Sequence, residues 1–274
     1  MSATDKYEAL LSHLKQLESV LVAYSGGIDS TLLAFAAHAA LGDRTAAVLA
    51  SSNTYPEREC VGARELAGTL GLRLIEVETS ELADPAFAAN APDRCFHCKT
   101  ELFGLLARIA DLHGLTYVAD GSNADDLKDH RPGRQAARAM GVVSPLSQAG
   151  LTKAEIRELS RELGLPNWDK PSMACLASRF PYGERITDEG LERVATAETA
   201  LYDLGLSQFR VRSHGDIGRV EISPGELDSA WALRARIADA VRAAGFAYAA
   251  IDLDGYRTGS MNEVLTAAER AEGN

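Results

Sequence analysis

A short glycine-rich segment between a predicted strand and a predicted helix constrains this fold most. The apolar residues 19–24 predict a buried strand, residues 31–40 predict a helix, and the sequence SGGIDS at residues 25–30 joins them. At such a junction, backbone N–H groups converge on the helix N-terminus, where the helix dipole favours an anion. The segment therefore predicts a phosphate-binding loop.

The residue types of this loop suit a nucleoside triphosphate. Gly26 and Gly27 allow the backbone to approach phosphate oxygens and to adopt positive φ. Ser25 and Ser30 add hydroxyl donors, and Asp29 could hold Mg²⁺ against the phosphates. No lysine follows the glycines, so this is neither a Walker A loop nor a G-x-G-x-x-G dinucleotide turn. A tight turn that merely uses glycine is the alternative, and the two serines and the aspartate argue against it.

Strand-like and helical segments alternate through the first two thirds of the chain. Thr152 and Glu155 have the spacing of a capping box, which predicts a helix from there to residue 163. This alternation predicts the α/β class, with a parallel sheet and helices on both of its faces. The other segments expected are strands at residues 45–50, 72–77 and 117–119, and helices at residues 56–70 and 97–113.

The last third of the chain predicts a smaller α+β domain. Residues 166–183 are rich in Pro and Ser, and they predict a linker or an active-site loop. We therefore expect an ATP-binding domain at residues 1–183 and a small domain for substrate binding or oligomerisation at residues 184–274. In the small domain, we expect helices at residues 187–204 and 227–244, and strands at residues 209–212, 219–222 and 248–253.

Composition and charge narrow the class of function. The net charge of -11 argues against docking of a long nucleic acid, which needs clustered Lys and Arg. No apolar run is long enough to cross a bilayer. Residues 1–21 mix charges with leucines at helical spacing, which predicts an amphipathic helix rather than a signal peptide. We therefore expect a cytoplasmic protein without nucleic-acid or membrane partners.

Two further segments are expected beside the phosphate loop. Ser52 follows the second predicted strand, and Gly121 follows the fourth. Open α/β sheets bind ligands at the carboxyl ends of their strands, so both residues are candidates for binding ATP. Each segment alone could equally be an ordinary polar loop.

The cysteines form a pattern that suits a metal centre. Cys95 and Cys98 are a C-x-x-C pair at the start of a predicted helix, and Cys175 lies in the irregular stretch far along the chain. Three thiolates suit a cubane cluster with one open iron, which could bind hydrosulfide. Zinc would usually require a fourth ligand, for which His97 is a crowded candidate, so cluster and zinc both stay open. Cys60 is expected to be a buried core residue.

Several motifs together resemble the LarE family, the sulfur transferases that help to build the nickel-pincer nucleotide cofactor of lactate racemase. The SGGIDS loop matches the SGGxDS signature of PP-loop ATP pyrophosphatases, which implies ATP cleavage between the α and β phosphates. The resemblance covers nearly the whole chain, and SRFPYG at residues 178–183 is its most specific part. The other matching segments are RPG at residues 131–133, ACLA at 174–177, RVR at 210–212 and GYRTG at 255–259.

The resemblance implies a substrate and a chemistry. The substrate would be pyridinium-3,5-biscarboxylic acid mononucleotide. ATP adenylylates a carboxylate, a sulfur nucleophile displaces AMP, and two rounds give the bis-thiocarboxylic acid. In single-cysteine members, the residue that matches Cys175 gives up its own sulfur and becomes dehydroalanine. Because this chain adds Cys95 and Cys98, it resembles the three-cysteine members, in which a 4Fe-4S cluster carries the sulfide.

The resemblance also implies roles for individual residues around the reacting groups. Asp29 and Cys175 would be catalytic, and Lys99 would assist near the adenylate. Ser178 and Arg179 would line the substrate site. Members of the family form a ring-shaped hexamer, which implies a homo-oligomer here.

Three arginines are implied to bind the nucleotide phosphate of the substrate: Arg210, Arg212 and Arg257. Arg210 and Arg212 are two apart on a predicted strand, so they share one face, and a pair of guanidiniums makes a good phosphate fork. Glu198 and Glu221 match family carboxylates near a metal or substrate site. Ordinary surface charge is the alternative for both glutamates.

Three rival functions stay open at this stage. A cluster-dependent tRNA thiolase can share the three cysteines, although the acidic net charge and the lack of a basic extension argue against it. An ammonia-dependent amidating synthetase would share the loop but would have no use for the cysteines. A non-enzymatic module would bind ATP without releasing pyrophosphate.

Overall fold

The computed structural model describes residues 1–128, 132–171, 173–257 and 259–265. The seven strands in these ranges are β1 (Val20–Tyr24), β2 (Thr45–Ser51), β3 (Leu74–Glu78), β4 (Tyr117–Ala119), β5 (Phe209–His214), β6 (Ile217–Ile222) and β7 (Tyr248–Ile251). The α-helices there are α1 (Ala3–Gln16), α2 (Ile28–Leu41), α3 (Glu57–Thr69), α4 (Pro85–Ala88), α5 (Arg94–Leu112), α6 (Pro132–Ala139), α7 (Pro145–Gln148), α8 (Lys153–Glu162), α9 (Asp188–Asp203), α10 (Leu227–Ala232) and α11 (Arg234–Ala243). Arg131 of the RPG motif and Thr258 of the GYRTG motif lie outside the described residues.

These residues divide into two compact units. The first unit consists of Met1–Thr79 and Cys95–Met173, and it holds β1 to β4. The second consists of Ser80–Arg94 and, among the described residues, 174–265, and it holds β5 to β7.

The division between the units differs from the boundary expected between residues 183 and 184. Residues 174–183 group with the second unit, and residues 80–94 join it from earlier in the chain. The buried Asn90 explains this grouping, because its side-chain amide donates hydrogen bonds to the carbonyl oxygens of Phe180, Pro181 and Glu184.

The first unit is built on a parallel sheet with the strand order β3-β2-β1-β4. Successive residues of β1 point to opposite faces, as a strand requires. Val20 and Val22 pack into a core with α1, α2 and α8, whereas Leu21 packs with α5 on the other face. The prediction of an α/β fold with helices on both faces of a parallel sheet is therefore confirmed.

Helix α2 begins three residues earlier than expected. Gly27 is its N-cap in an extended conformation, and Ile28 is already helical and buried in the core. As a result, Asp29 and Ser30 lie in the first helical turn rather than in a loop. The short helices α4, α6 and α7 lie in stretches for which no element was expected.

The capping box predicted for α8 is confirmed. The Glu155 carboxylate accepts a hydrogen bond from the Thr152 backbone N–H at 2.9 Å, and the Thr152 hydroxyl accepts one from the Glu155 N–H. Lys6 of α1 also donates to both oxygens of Glu155, at 2.7 and 2.8 Å. The Glu155 carboxylate thus caps the N-terminus of α8 and also links α8 to α1.

Replacing this carboxylate should give a pH-dependent loss of stability. Bonding to Lys6 lowers the pKa of Glu155 from 4.5 to about 2, with help from Thr152. We expect Glu155→Gln to lower the free energy of unfolding by about 1 kcal/mol at neutral pH, as for other half-buried pairs and caps. Because the pKa is lower in the folded state, this contribution is complete above about pH 4.5 and disappears as the pH falls towards about 2.

Urea unfolding of parent and Glu155→Gln across that pH range measures the effect. Glu158→Gln, on the exposed side of the same helix, is the control and should differ little from the parent. A gap between parent and Glu155→Gln that stayed constant down to about pH 2 would contradict the assignment.

The second unit contains a three-stranded sheet among its described residues. Strands β5 and β6 form an antiparallel hairpin around Gly215 and Asp216, and β7 pairs parallel with β6. Val211 and Val220 are buried on one face of this sheet. On the opposite face, Arg212 of β5 lies directly across from Arg219 of β6. That second face carries the charged groups described below.

Two elements of the second unit end earlier than expected. The helix predicted over residues 227–244 is broken into α10 and α11 at Leu233, whose φ of −93° and ψ of 3° are not helical and whose N–H bonds more closely to Ala230, three residues back, than to Ser229. Strand β7 ends at Ile251 because the Asp252 carboxylate accepts hydrogen bonds from the next backbone N–H groups and forms a turn. No helix in the described ranges is both long and apolar enough to cross a membrane.

Candidate active site

Three neighbouring parallel strands of the first unit end at one edge of the sheet. The phosphate loop follows β1, Ser52 follows β2, and Gly121 lies two residues after β4. A Cβ on Gly121 would lie 3.0 Å from the Ser30 backbone nitrogen, so only glycine lets this segment pack against the loop. Ser52 lies in a local turn, where its hydroxyl is 2.8 Å from that of Thr54.

The phosphate loop is ordered by its own serines. The Ser30 hydroxyl donates to the Gly27 carbonyl at 3.1 Å and accepts from the Ser25 N–H at 3.2 Å. Gly26 has a φ of +66°, and a Cβ there would lie 2.6 Å from the Ala63 Cβ of α3, so glycine is required. The N-cap of α2 is Gly27, which has no side chain that could cap the helix N-terminus. The N-terminus of α2 therefore has no side-chain cap, which is compatible with the predicted binding of an anion there.

Asp29 is held at the mouth of this loop by two side chains. Asn123 donates its amide N–H to Asp29 Oδ1 at 3.1 Å. The Lys153 ammonium forms an ion pair with Asp29 Oδ2. A carboxylate and a lysine thus meet beside the first turn of α2, and these are groups that can bind Mg²⁺ and phosphate respectively.

Lys153, Asn167 and Lys170 contribute to this site, although none of them was among the residues predicted for it. Asn167 donates to the Gly26 carbonyl at 3.2 Å, and Lys170 donates to the same oxygen at 3.3 Å. The sequence held one signal for Lys153, because a cation in the first turn of a helix opposes the helix dipole. No local signal marks Asn167 or Lys170, whose contacts join residues more than 140 positions apart.

Adding one methyl group beside the loop should impair ATP cleavage. In Gly121→Ala, the new Cβ would meet the backbone nitrogen of Ser30 at 3.0 Å and its Cα at 3.3 Å. We expect kcat/KM for ATP to fall by roughly tenfold or more, because a small displacement of the phosphate loop from its reactive geometry slows the reaction strongly. The measurement is the initial rate of pyrophosphate release at varied ATP concentration.

A matched glycine is available as the control for this change. Gly62 lies in α3, and a Cβ there would meet nothing within 4 Å. Gly62→Ala should therefore keep the parent rate and be slightly more stable, because alanine favours a helix. Equal rates for Gly121→Ala and Gly62→Ala would contradict the close approach of residue 121 to the loop.

The two cysteines of the C-x-x-C pair lie in the first turns of α5. Cys95 is exposed and Cys98 is half-buried, and their spacing places them on one side of the helix. Lys99 lies with its ammonium 5.4 Å from the centre of the Phe103 ring. A Cβ on Gly133 would lie 3.0 Å from Lys99 Cγ, so Gly133 packs closely against Lys99.

The remaining cysteines differ in their surroundings. Cys60 is buried in α3, as predicted, and burial raises the pKa of its thiol. Cys175 is half-buried in the second unit, directly before the short 3₁₀ helix Leu176–Arg179. Within the described part of the chain, no three or more His, Cys, Asp or Glu side chains are grouped in a way that could hold a metal ion.

A cleft of about 110 Å³ lies in the second unit, beside the charged face of its sheet. This volume suits one part of a ligand rather than a whole nucleotide. Its polar lining includes the predicted residues Ser178, Arg179 and Arg212, together with His214, Arg219 and Ser260. Two other predicted residues, Arg210 and Arg257, are not among the described residues that line it.

The charged side chains that line the cleft are guanidiniums, and each has a carboxylate partner outside the lining, including Asp252 for Arg219. Arg212 bonds to Glu221 at 2.7 Å, and Arg219 lies 3.2 Å from the other oxygen of the same carboxylate. Arg212 also donates to the Ser178 carbonyl at 2.7 Å. Arg219 Nε donates to His214 Nε2, so the neutral imidazole carries its proton on Nδ1. Burial and Arg219 lower the pKa of His214. This arrangement favours an anionic ligand.

The two other predicted phosphate ligands have different surroundings. Arg210 is buried, with its guanidinium 4.9 Å from the centre of the Tyr256 ring, and burial lowers its pKa. Arg257 is half-exposed and bonds to Glu263 at 3.1 Å.

Glu198 and Glu221 are both buried, so the alternative of ordinary surface charge is wrong. Arg179 binds Glu198 through two parallel hydrogen bonds at 2.8 and 2.9 Å. Burial alone would raise the pKa of Glu198, but Arg179 holds it below the usual value. Both carboxylates therefore have guanidinium partners.

Comparison with known proteins places the chain among PP-loop enzymes. The family model described as NAD synthase matches residues 7–104, which include the phosphate loop and the C-x-x-C pair. An uncharacterized protein of Synechocystis sp. is 43% identical over 264 residues, which cover 95% of this chain and 98% of the relative. The pyridinium-3,5-bisthiocarboxylic acid mononucleotide synthase of Lactiplantibacillus plantarum is 37% identical over 267 residues, or 97% of each chain. A glutamine-hydrolyzing GMP synthase chain of Archaeoglobus fulgidus is 30% identical over 157 residues, which cover 53% of this chain and 51% of the relative.

Proposed function

This chain belongs to the LarE family of PP-loop enzymes, and on that premise we propose that it converts pyridinium-3,5-biscarboxylic acid mononucleotide to the bis-thiocarboxylic acid with ATP. The observation that carries this proposal is the phosphate loop, in which Asp29 and Lys153 meet beside the uncapped N-terminus of α2. The full-length similarity to a named synthase supports the substrate.

The first half-reaction uses the loop of the first unit. A carboxylate oxygen of the substrate attacks the α-phosphorus of ATP, the bond to the bridging oxygen breaks, and pyrophosphate leaves with its electron pair. The N–H groups of the loop and the hydroxyls of Ser25 and Ser30 would hold the departing phosphates. Asp29 would bind Mg²⁺, and Lys153 would then neutralise phosphate charge instead of the carboxylate. The product is an acyl adenylate.

The second half-reaction delivers sulfur. A sulfur nucleophile attacks the acyl carbon, the carbon–oxygen bond to AMP breaks, and AMP leaves with the electron pair. Lys99 would stand near the adenylate. One thiocarboxylate results, and a second round at the other carboxylate completes the product.

We assign the substrate's phosphate to the cleft of the second unit. Ser178 and Arg212, which the resemblance implies for substrate binding, line that cleft together with Arg219 and His214, and this lining supports the assignment. Phosphate binding by Arg210 and Arg257 remains a prediction from the resemblance.

The iron–sulfur cluster is proposed from the resemblance to three-cysteine members of the family. Cys95, Cys98 and Cys175 would supply its three thiolates, and each of these side chains is at least partly exposed. When bound, a 4Fe-4S cluster held by three thiolates would supply an open iron for sulfide. The alternative is sacrificial use of the Cys175 sulfur. A cytoplasmic location and a ring-shaped homohexamer are proposed from the resemblance to the family.

Metal analysis separates the two sources of sulfur. We expect anaerobically purified protein to be brown and to contain about four irons per chain, and Cys95→Ser to contain far less. Cys60→Ser is the matched control, since Cys60 lies buried in α3, and it should keep the iron. A colourless parent protein that turns over many times would contradict the cluster. A Cys175 peptide that becomes lighter by the mass of one hydrogen sulfide during the reaction would show that Cys175 gave up its sulfur and became dehydroalanine.

The proposed reaction is tested with the biscarboxylic acid mononucleotide, MgATP and a sulfide source under anaerobic conditions. We expect AMP and pyrophosphate in equal amounts, and thiocarboxylate detectable by mass spectrometry. ADP and phosphate as products would contradict the proposal. An amide formed with ammonia would indicate an amidating synthetase, and tRNA that stays bound through purification would indicate a thiolase.

A further inference from the structure

Arg179 is a completely buried arginine that stands four residues after Cys175. Its exposed fraction is 0%, and that of its partner Glu198 is 2%. Arg179 Nε and one terminal nitrogen donate to the two oxygens of Glu198, at 2.8 and 2.9 Å. The remaining nitrogen of the guanidinium faces the loop that carries Cys175.

That remaining nitrogen, Nη1, binds three oxygens of the loop. It donates to the carbonyls of Ala174 at 3.0 Å and Cys175 at 3.2 Å, and it lies 2.9 Å from the Ser178 hydroxyl. The Ser178 hydroxyl itself donates to the Cys175 carbonyl at 2.8 Å. All three nitrogens of Arg179 are thus engaged within the unit, which leaves no fork for a substrate phosphate.

Glu198 connects this loop to the strand beside it. The carboxylate lies on α9, and Oε1 also accepts a hydrogen bond from the Val211 N–H of β5 at 3.0 Å. The next residue of β5, Arg212, lines the cleft and donates to the Ser178 carbonyl. The loop of Cys175 and the anion-binding strand therefore share one hydrogen-bonded frame.

A third contact holds the loop from another direction. Arg94 is buried, donates to the Ala177 carbonyl at 2.8 Å and also bonds to the Asn90 side chain. The backbone on both sides of the Cys175 loop is consequently held by buried guanidiniums.

Stability alone does not account for a buried ion pair. Removing two charges from water is costly, and a well-packed apolar pair of similar volume is often at least as stable. Arg179, held by Glu198, provides what apolar residues cannot, which is directed hydrogen bonds to the carbonyls of Ala174 and Cys175.

We propose that Arg179 and Glu198 are positioning residues that hold the Cys175 thiol for sulfur transfer, and that neither binds substrate or metal. The assignment of sulfur transfer rests on the proposed function, whereas the placement of Cys175 by the pair does not. The two statements therefore have separate tests.

The placement is tested by alkylation of Cys175 in the full-length protein, stripped of iron by a chelator and kept reduced. The variants are Glu198→Gln, which keeps the shape of the side chain, and the double variant Arg179→Met with Glu198→Leu, which removes both charges. We expect iodoacetamide to modify Cys175 at least threefold faster in both variants. The exposed Cys95 should react at the parent rate in the same samples, which excludes a general loosening.

Glu226→Gln is the matched control in the same unit. Glu226 accepts hydrogen bonds from the backbone N–H groups of Ser207 and Gln208, which lie outside the Cys175 loop. Its alkylation profile should equal that of the parent. A double variant that melts at the parent temperature and keeps the parent rate at Cys175 would overturn the proposal.

The functional consequence is measured by comparing the two half-reactions. At saturating substrate, we expect pyrophosphate release within twofold of the parent in Glu198→Gln, since the phosphate loop lies in the first unit, and thiocarboxylate formation reduced at least tenfold. Equal loss in both half-reactions, in a variant of unchanged melting temperature, would overturn a specific role at Cys175. If the parent forms no thiocarboxylate, the proposed function fails, and the alkylation result still decides the placement.

Discussion

Asp29→Asn is expected to lose pyrophosphate release by roughly 100-fold or more, the usual effect of removing a group that stabilises charge in the transition state. The amide keeps the size of the side chain but cannot hold Mg²⁺ as a carboxylate does. It also leaves the Lys153 ammonium without its counter-ion beside the loop. Because Asp29 is half-exposed in the first turn of α2, the fold should survive the change.

Initial rates of substrate-dependent pyrophosphate release measure this effect. Asp43→Asn, an exposed aspartate directly after the same helix, is the control and should keep the parent rate. A rate for Asp29→Asn equal to that of the parent would remove this carboxylate from the mechanism.

Cys175→Ala is expected to abolish the sulfur product while ATP cleavage continues. Thiocarboxylate should fall below about 1% of the parent amount, whereas substrate-dependent pyrophosphate release stays within a few-fold. The reason is that, in the proposed mechanism, the thiol acts in the second half-reaction, whereas the phosphate loop is built from residues of the first unit.

Mass spectrometry of the product and a pyrophosphate assay on the same sample check this separation. Cys60→Ala is the control for loss of a thiol, since Cys60 is a core residue of α3. Normal thiocarboxylate from Cys175→Ala would show that the sulfur passes through other groups. Both the cluster and the sacrificial mechanism predict the loss, so the iron analysis is needed to distinguish them.

The elements that local patterns define were predictable from sequence. The β1–loop–α2 unit, β4 at Tyr117–Ala119 and the capping box at Thr152 all depend on residues close together in the chain. Glycines at the loop were predictable because positive φ and close packing require them, as Gly26 shows.

The features that local patterns did not predict depend on contacts between distant residues. Asn90 draws residues 80–94 into the second unit through bonds that span about 90 positions, and no local pattern signals this. The resemblance implied that Arg179 lines the substrate site, but it did not reveal the partner of this guanidinium. Its burial against Glu198 depends on how α9 packs, which periodicity does not show.

The ion pair between Lys153 and Asp29 has a consequence for the order in which Mg²⁺ and the nucleotide bind. Asp29 is the proposed ligand of Mg²⁺, and a carboxylate that already has its own cation attracts a bare divalent ion only weakly. Mg²⁺ that arrives already complexed to the nucleotide meets a different balance, since the triphosphate offers the displaced ammonium a new anion. We therefore expect the resting protein to respond little to the magnesium level by itself, and the nucleotide to bring its metal ion into the site.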